Sequence, residues 1–353
     1  MSLKHDIIAR IQADGPMRID EYMSTCLLHP TKGYYTTSHP FGTGGDFTTA
    51  PEISQMFGEL IGLSMAQCWL DQGSPTPFTL AELGPGRGTL MADVLRVCKN
   101  VPGFLRAAEI ILLEASPALQ TVQRETLAAH NLNHIPSLDA LPDQPLFIVA
   151  NEFFDALPIR QFVRNGAHWR ERHVGLDNDM LSFGLGPALP QPTLQDRISD
   201  TDEGDLIETA PSFATVLAPV AERIAQYGGA AIIIDYGDWR TLGDTFQAMQ
   251  EHAPVAPLAS PGKSDLTAHV DFEALTQAAT PAKFSRVTPQ GVFLERLGIT
   301  ERAQKLAQNL QGEALDSHIA AHRRLTHPKE MGNLFKVLGL FPAEGTPPPG
   351  LEP

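Results

Sequence analysis

FTLAELGPGRGTL, residues 78–90, decides the fold. An apolar run ends in an acid, Glu82, and glycines follow at alternating positions: Gly84, Gly86 and Gly88. Thr89 and an apolar stretch to Val97 come next. The pattern predicts a strand, a tight turn and a helix, with bare backbone at the carboxyl end of the strand where a nucleotide-like ligand can lie. Outward from it, short and nearly continuous apolar runs recur at Glu109–Leu113, Leu146–Ala150 and Ala230–Asp235. Runs of this kind belong to parallel strands covered on both faces. Helical patterns lie between them at Thr89–Val97, Pro117–Ala129 and about Ser212–Tyr227. The expected core is a doubly wound, Rossmann-like α/β domain.

The flanks are irregular. Helices are predicted near Leu3–Ala13 and Asp20–Leu28, and a single long one from about Pro51 to Asp71, with Pro51 in its first turn and Gly73 at its end. Residues 159–185 read as an inserted β-hairpin turning at Asn165-Gly166, and residues 186–210 as a loop. Further helices are expected near Asp271–Ala279, Glu301–Gln311, Leu315–Leu325 and Lys329–Leu338, the last with Met331, Leu334, Phe335, Val337 and Leu338 as its buried stripe. The resulting organisation is a helical extension with a glycine-rich lid (1–77), a core (78–340) with additions at about 159–185 and about 271–325, and a flexible tail (341–353).

With 353 residues, 42% hydrophobic and 19% charged, the chain has the composition of one large α/β domain with insertions or of two domains. No apolar run approaches the ~20 residues of a membrane span, so no membrane insertion is expected. The charges at Lys4, Asp6 and Arg10 make the N-terminus an amphipathic helix rather than a signal peptide, which favours a bacterial cytoplasm. Cys26, Cys68 and Cys98 are odd in number and widely spaced, the pattern of buried reduced thiols. No histidine spacing fits a metal site. The net charge of −15 repels nucleic acid, and the cluster Arg160, Arg164, Arg170, Arg172 and His173 reads as a solvated hairpin face.

The glycine spacing narrows the ligand. A dinucleotide fingerprint, G-x-G-x-x-G, needs glycine at position 89, where this chain has threonine. An acid followed by G-x-G-x-G is the pattern of S-adenosylmethionine (SAM) methyltransferases, whose cofactor carries an amino-acid group and no phosphate. Glu114, 28 residues after Gly86 at the end of the next strand, is placed to accept hydrogen bonds from ribose hydroxyls. Asp139, beside Leu138, has two open readings: an acceptor for the adenine amine or a turn cap. Asn151, Glu152 and Asp155 of NEFFDALP follow a strand at the mouth of the expected pocket. Carboxylates there are expensive to desolvate unless they have partners or work. A guanidinium acceptor would supply both, by bidentate pairing. Helix capping and pairing with a nearby arginine are the structural alternatives. In GTGGDFTTAP (42–51), Phe47, Thr48 and Thr49 form a candidate lid with Gly42, Gly44 and Gly45 as hinges. Asp235-Tyr236-Gly237 reads as a structural strand-end turn closing the pocket wall. His269–Phe272 reads as a helix start with Asp271 near its cap.

GGDFTTAPEISQMFGELIG, ELGPGRGTL, NEFFDALP, IIIDYG, SDLTAHVDF and RLTHPKEMGNLFKVL occur in this order, and together resemble the MidA family, from about residue 15 to 340. That family includes the mitochondrial complex I assembly methyltransferases. The resemblance implies a class I SAM-dependent methyltransferase fold with N-terminal and inserted additions. It implies arginine N-methylation to symmetric dimethylarginine, with a subunit of respiratory NADH dehydrogenase or a similar protein as substrate. Carried over by position, Gly84 and Gly86 belong to the SAM turn, Glu114 to the ribose site, and Asn151, Glu152 and Asp155 to the acceptor side. The rival functions are an RNA or small-molecule methyltransferase and a SAM-binding assembly factor that needs no catalysis. The expected partners are a protein substrate and, as an open point, a second copy in a homodimer.

Overall fold

The computed structural model describes residues 2–37 and 49–353. Its centre is a sheet of β1 (Phe78–Leu83), β2 (Ala108–Leu113), β3 (Leu132–Ile135), β4 (Leu146–Asn151), β5 (Gly229–Asp238), β6 (Lys283–Phe284) and β7 (Phe335–Phe341). The spatial order is β3-β2-β1-β4-β5-β7-β6. β1 to β5 run parallel, whereas β7 is antiparallel to both of its neighbours. The order reverses direction between β1 and β4, and an open α/β sheet binds ligands in the crevice outside such a switch point.

The apolar runs are continuous because both faces are covered. Phe147, Val149, Ile232 and Ile234 pack into one apolar cluster, while their neighbours Ile148, Ala150, Ile233 and Ala231 pack into another. This is the two-residue strand period with a core on each side. The first face is covered by helices α3 (Gln55–Asp71) and α4 (Thr89–Cys98), the second by α6 (Ser212–Tyr227) and α7 (Phe272–Ala278). The remaining helices of seven residues or more are α1 (Leu3–Asp14), α2 (Ile19–Leu28), α5 (Pro117–Thr126), α8 (Gln290–Arg296), α9 (Ile299–Ala307) and α10 (Glu313–Thr326). α1 and α2 pack through Ile7, Ile11, Tyr22 and Met23 on a separate cluster that includes Val174 and Leu266 from the inserted strands. Among the described residues, no helix is long and apolar enough to cross a membrane. All three cysteines are free and buried.

Several expectations require correction. The long helix expected from Pro51 breaks at Ser54, which leaves the helical region (φ −160°, ψ 136°) and caps α3 by accepting a bond from Met56 N. The hairpin at Asn165-Gly166 forms, but its strands continue to Leu189, and Leu206–Thr209, inside the expected loop, pairs with Arg160–Val163. The expected helix Lys329–Leu338 is a short helix, Met331–Leu334, followed by β7. FKVLGLF is apolar on both sides of the chain, and β5 offers it an edge with full antiparallel pairing from Ala231–Leu340 to Tyr236–Phe335. The tail is docked rather than frayed. Leu351 is buried, Ser64 Oγ donates to Pro349 O at 3.0 Å, and Arg286 N donates to Glu352 O at 2.8 Å. Gly339 leaves the space into which Pro348 and Leu351 pack.

Candidate functional site

The glycine turn joins β1 to α4, and all three glycines have positive φ: +59° at Gly84, +53° at Gly86 and +82° at Gly88. These values lie where a Cβ is costly, which explains the spacing of the motif. Gly84 N donates to Leu113 O at 3.0 Å and Gly88 N to Pro85 O at 2.7 Å, fixing the turn against the end of β2. A Cβ at Gly84 would lie 2.9 Å from Cδ2 of Phe153. Glu82, the acid before the turn, is buried. Desolvation pushes its carboxyl up to about 8 against the pull of the Met91 N–H, and Oε2 has no partner among the described residues.

Glu114 follows β2. Its carboxylate accepts from Ser116 N at 2.8 Å and from Gln123 Nε2 at 3.1 Å. Gln123, on α5 and fully buried, also donates from Nε2 to Gly86 O at 2.7 Å, and its Oε1 lies 2.7 Å from His134 Nε2. One side chain therefore ties the strand-end acid to the glycine turn. Burial raises the Glu114 carboxyl, with the Ser116 and Gln123 donors opposing. Gly84, Gly86, Glu114, His134 and Phe153 line one cavity of about 810 Å³, a size that suits a nucleoside-containing ligand. Asp139 does not join them. It is exposed, receives a 3.1 Å bond from Ser137 Oγ, and sits in a short 3-10 turn whose Leu138 packs into the core. Thr48 lies outside the described residues, as do Gly42, Gly44, Gly45 and Phe47. Thr49 is described. Its carbonyl accepts from Glu52 N at 2.9 Å, and it borders a crevice with Glu82, Gly84, Gly86 and Glu152.

The third group begins at the end of β4. Glu152 has a left-handed backbone (φ +51°), uncommon for a residue with a Cβ and found disproportionately at functional sites. Its main-chain N donates to Ile234 O at 2.9 Å, and its Oε1 accepts from Ala50 N at 3.1 Å and Asn151 Nδ2 at 3.2 Å. Asp235, among the last residues of the neighbouring strand β5, holds the segment that follows β4. Its Oδ2 accepts from the N–H groups of Phe153 (3.2 Å), Phe154 (2.9 Å) and Asp155 (3.2 Å), and its Oδ1 from Tyr236 N (3.0 Å). Asp235 is fully buried. Desolvation and the nearby Asp155 and Glu152 carboxylates push it upward against these N–H donors.

Glu152, Asp155 and Asp265 line a second cavity, of about 370 Å³, with Tyr35, Tyr236 and Phe335. Tyr35 OH donates to Asp265 Oδ1 at 2.8 Å. Desolvation, with Asp155 beside it, pushes Glu152 up to about 7; desolvation also pushes Asp155 up to about 6 against the Tyr236 hydroxyl. Oδ1 of Asp155 and Oδ1 of Asn151 are buried without partners among the described residues. Tyr35 and Glu152 line both cavities, so the acidic chamber opens beside the glycine turn. Tyr35, Gln123 and Asp265 were not singled out from sequence, and Asp235 and Tyr236 were read as a structural turn closing the pocket wall. For Asp235 a signal existed: IIIDYG, like FTLAEL and ILLE, carries an acid at or near the carboxyl end of an apolar run.

SAM fits this architecture. The turn presents backbone that side chains would obstruct, Glu114 stands at the next strand end, and Glu82, in the adjoining crevice, has an oxygen without a partner among the described residues. Residues 60–290 match the family model of S-adenosyl-L-methionine-dependent methyltransferases, Methyltransf_28. The human mitochondrial protein arginine methyltransferase NDUFAF7 is 35% identical over 96% of this chain and 83% of its own length. The Danio rerio protein of the same name is 36% identical over 96% of this chain and 86% of its own. A COG1565 superfamily member from Burkholderia thailandensis, crystallised with S-adenosyl-homocysteine, superposes with a TM-score of 0.82 at 29% identity, covering 96% of this chain and 91% of that one. The sheet order, the glycine turn and these likenesses agree: the chain belongs to the MidA family and is a SAM-dependent methyltransferase of the class I fold.

Proposed function

We propose that this enzyme is a protein arginine N-methyltransferase. The observation that carries the reading is the chamber beside the glycine turn, where Glu152, Asp155 and Asp265 converge with the rings of Tyr236 and Phe335. Arg324, on the wall of the same cavity, offsets part of the Glu152 charge and leaves the Asp155 and Asp265 carboxylates for a further cation. Buried carboxylates repel one another unless cations neutralise them. A guanidinium does so with planar, bidentate hydrogen bonds, and its flat face suits aromatic walls. The names of the relatives, protein arginine methyltransferases, support the same class.

In this reading Gly84, Gly86 and Gly88 seat the amino-acid end of the cofactor and Glu114 accepts from the ribose hydroxyls, while Asp139 has no role. SAM, when bound, supplies an electrophilic methyl group on a sulfonium sulfur. Glu152 and Asp155 accept N–H bonds from the guanidinium and aim one nitrogen toward the other cavity; positioning of this kind is the principal means of acceleration in such a transfer. Methylation of the nitrogen releases one N–H proton. Glu152, titrating near 7, is matched to take it up and to return it to solvent. Asn151 holds the Glu152 carboxylate through Nδ2, at 3.2 Å.

The finer expectations, symmetric dimethylation and an NADH dehydrogenase subunit as substrate, extend the same reading. Quantitative mass spectrometry of arginine peptides from cells with and without this protein tests them. The reading expects dimethylarginine peptides that disappear with the protein, including one from that subunit. An unchanged arginine methylome overturns it.

A further inference from the structure

The acceptor chamber continues into another space. His269 and Leu334 line the chamber and also a cleft of about 650 Å³ that runs past Gly237 and Asp238 at the end of β5. Phe335 faces the chamber and its neighbour in β7, Lys336, lines the cleft. Successive strand residues face opposite ways, so β7 places one residue against each space, while His269 and Leu334 border both.

Most charged groups of the cleft are already engaged. Glu330 accepts from Arg323 Nε at 2.9 Å, and Asp238 Oδ1 accepts from Trp239 N at 2.8 Å. Arg240 pairs with Glu273 and Asp200. Lys336 differs. Its half-buried ammonium donates to Gly237 O at 3.0 Å and Asn333 O at 2.6 Å, both neutral carbonyls, and makes no ion pair among the described residues. An ammonium has three donors, so one remains. Burial depresses its pKa, opposed by the nearby Asp238 carboxylate, with which it forms no ion pair. Lys329, exposed at the same cleft, is a second cation without an ion pair among the described residues.

We propose that this cleft seats the stretch of the protein substrate next to the target arginine, and that Lys336 selects an aspartate or glutamate within a few residues of it. The proposal rests on the arginine reading of the chamber. It gives the enzyme a two-point code, a cation in an acidic chamber and an anion on Lys336, with opposite charges that also set the direction of the bound segment.

The test uses the full-length protein and fluorescently labelled, end-blocked peptides with a central arginine in a Gly/Ser background. Glutamate, glutamine or lysine is placed at each flanking position, and binding is read by anisotropy in the presence of S-adenosylhomocysteine. The best glutamate peptide is expected to bind roughly fivefold to tenfold tighter than its glutamine counterpart, the effect of one charge-assisted hydrogen bond. Lys336→Gln should erase that preference while retaining affinity for S-adenosylhomocysteine. Equal binding of glutamate and glutamine peptides at every position by the wild type overturns the proposal, and this comparison needs no variant. So does a preference that survives in Lys336→Gln. Replacing the central arginine by glutamine separates the two readings: if the flanking preference persists and the arginine is irrelevant, the cleft stands and the arginine reading fails.

Discussion

Replacing Asp235 by asparagine should loosen the acceptor turn without filling or emptying any space. The wild-type carboxylate takes four main-chain N–H bonds, three on Oδ2 and one on Oδ1, at 2.9 to 3.2 Å. Asparagine offers one acceptor atom and one NH2 group. In the better orientation its oxygen keeps Phe153, Phe154 and Asp155, and the NH2 then faces Tyr236 N–H, donor against donor. Leaving one buried N–H unsatisfied costs ~1–3 kcal/mol. At ~2.1 cal/mol/K per residue, 353 residues carry an unfolding entropy of ~0.7 kcal/mol/K, so ~2 kcal/mol lowers Tm by ~3 °C. The functional effect should be larger, because the turn sets the Asp155 and Glu152 carboxylates, and a ~1 Å displacement can cost ~100-fold in rate. Differential scanning calorimetry, titration with S-adenosylhomocysteine and initial-rate methylation read the three consequences separately. The expected set is a small drop in Tm, cofactor affinity held within a few-fold, and kcat reduced at least tenfold. Unchanged Tm together with unchanged kcat would show that the turn is held by something other than Asp235, and the positioning argument would fall.

Gly84→Ala places a Cβ at φ +59° and 2.9 Å from the Phe153 ring, a backbone cost of ~1–2 kcal/mol, and should weaken S-adenosylhomocysteine binding at least fivefold by calorimetry; undiminished affinity contradicts the placement of the turn. For Glu152, kcat/KM for the acceptor should rise with pH through the region of about 7, because the ionised form binds the guanidinium, and Glu152→Gln should lose that limb; an identical profile in the variant removes Glu152 from the acceptor site. The Glu82 carboxyl titrates at about 8 when folded against 4.5 when unfolded, so the unfolded chain sheds its proton first and stability falls as pH rises between those values. Without cofactor, the Tm of Glu82→Gln relative to wild type should therefore climb from about pH 5 to about pH 8; a difference that stays flat contradicts the burial argument.

Much of this could be read from the chain, and the misreadings have physical causes. Strands β1, β2, β4 and β5 declared themselves because burial on both faces leaves a continuous apolar run bounded by turn residues. The glycine turn was legible because positive φ at Gly84, Gly86 and Gly88 restricts residue choice. The same signal failed at β7. FKVLGLF, apolar apart from Lys336, has no period to separate strand from buried helix, and only the edge of β5 decides between them. The tail looked disordered because its prolines and glycines carry no period, yet Leu351 and Pro348 fill the space at Gly339. In the site, Glu114, Glu152 and Asp155 were accessible as acids at strand ends. Tyr35 and Asp265 were not, because they sit far apart in sequence and meet only when the N-terminal helices pack on the inserted strands. Asp139 was read from its neighbour Leu138 as an adenine acceptor or a turn cap; it is exposed, bonded to Ser137, and not among the residues lining the cavity.

On this view the acidic chamber beside the glycine turn receives an arginine side chain. Transfer from methyl-labelled SAM, by the purified protein, into extract from cells lacking it, followed by nuclease treatment, acid hydrolysis and mass spectrometry of the labelled residues, tests it. Nuclease-resistant label in protein methylarginine, lost with Glu152→Gln, is the expected result. Label in nucleosides or in small metabolites, with none in arginine, would contradict it.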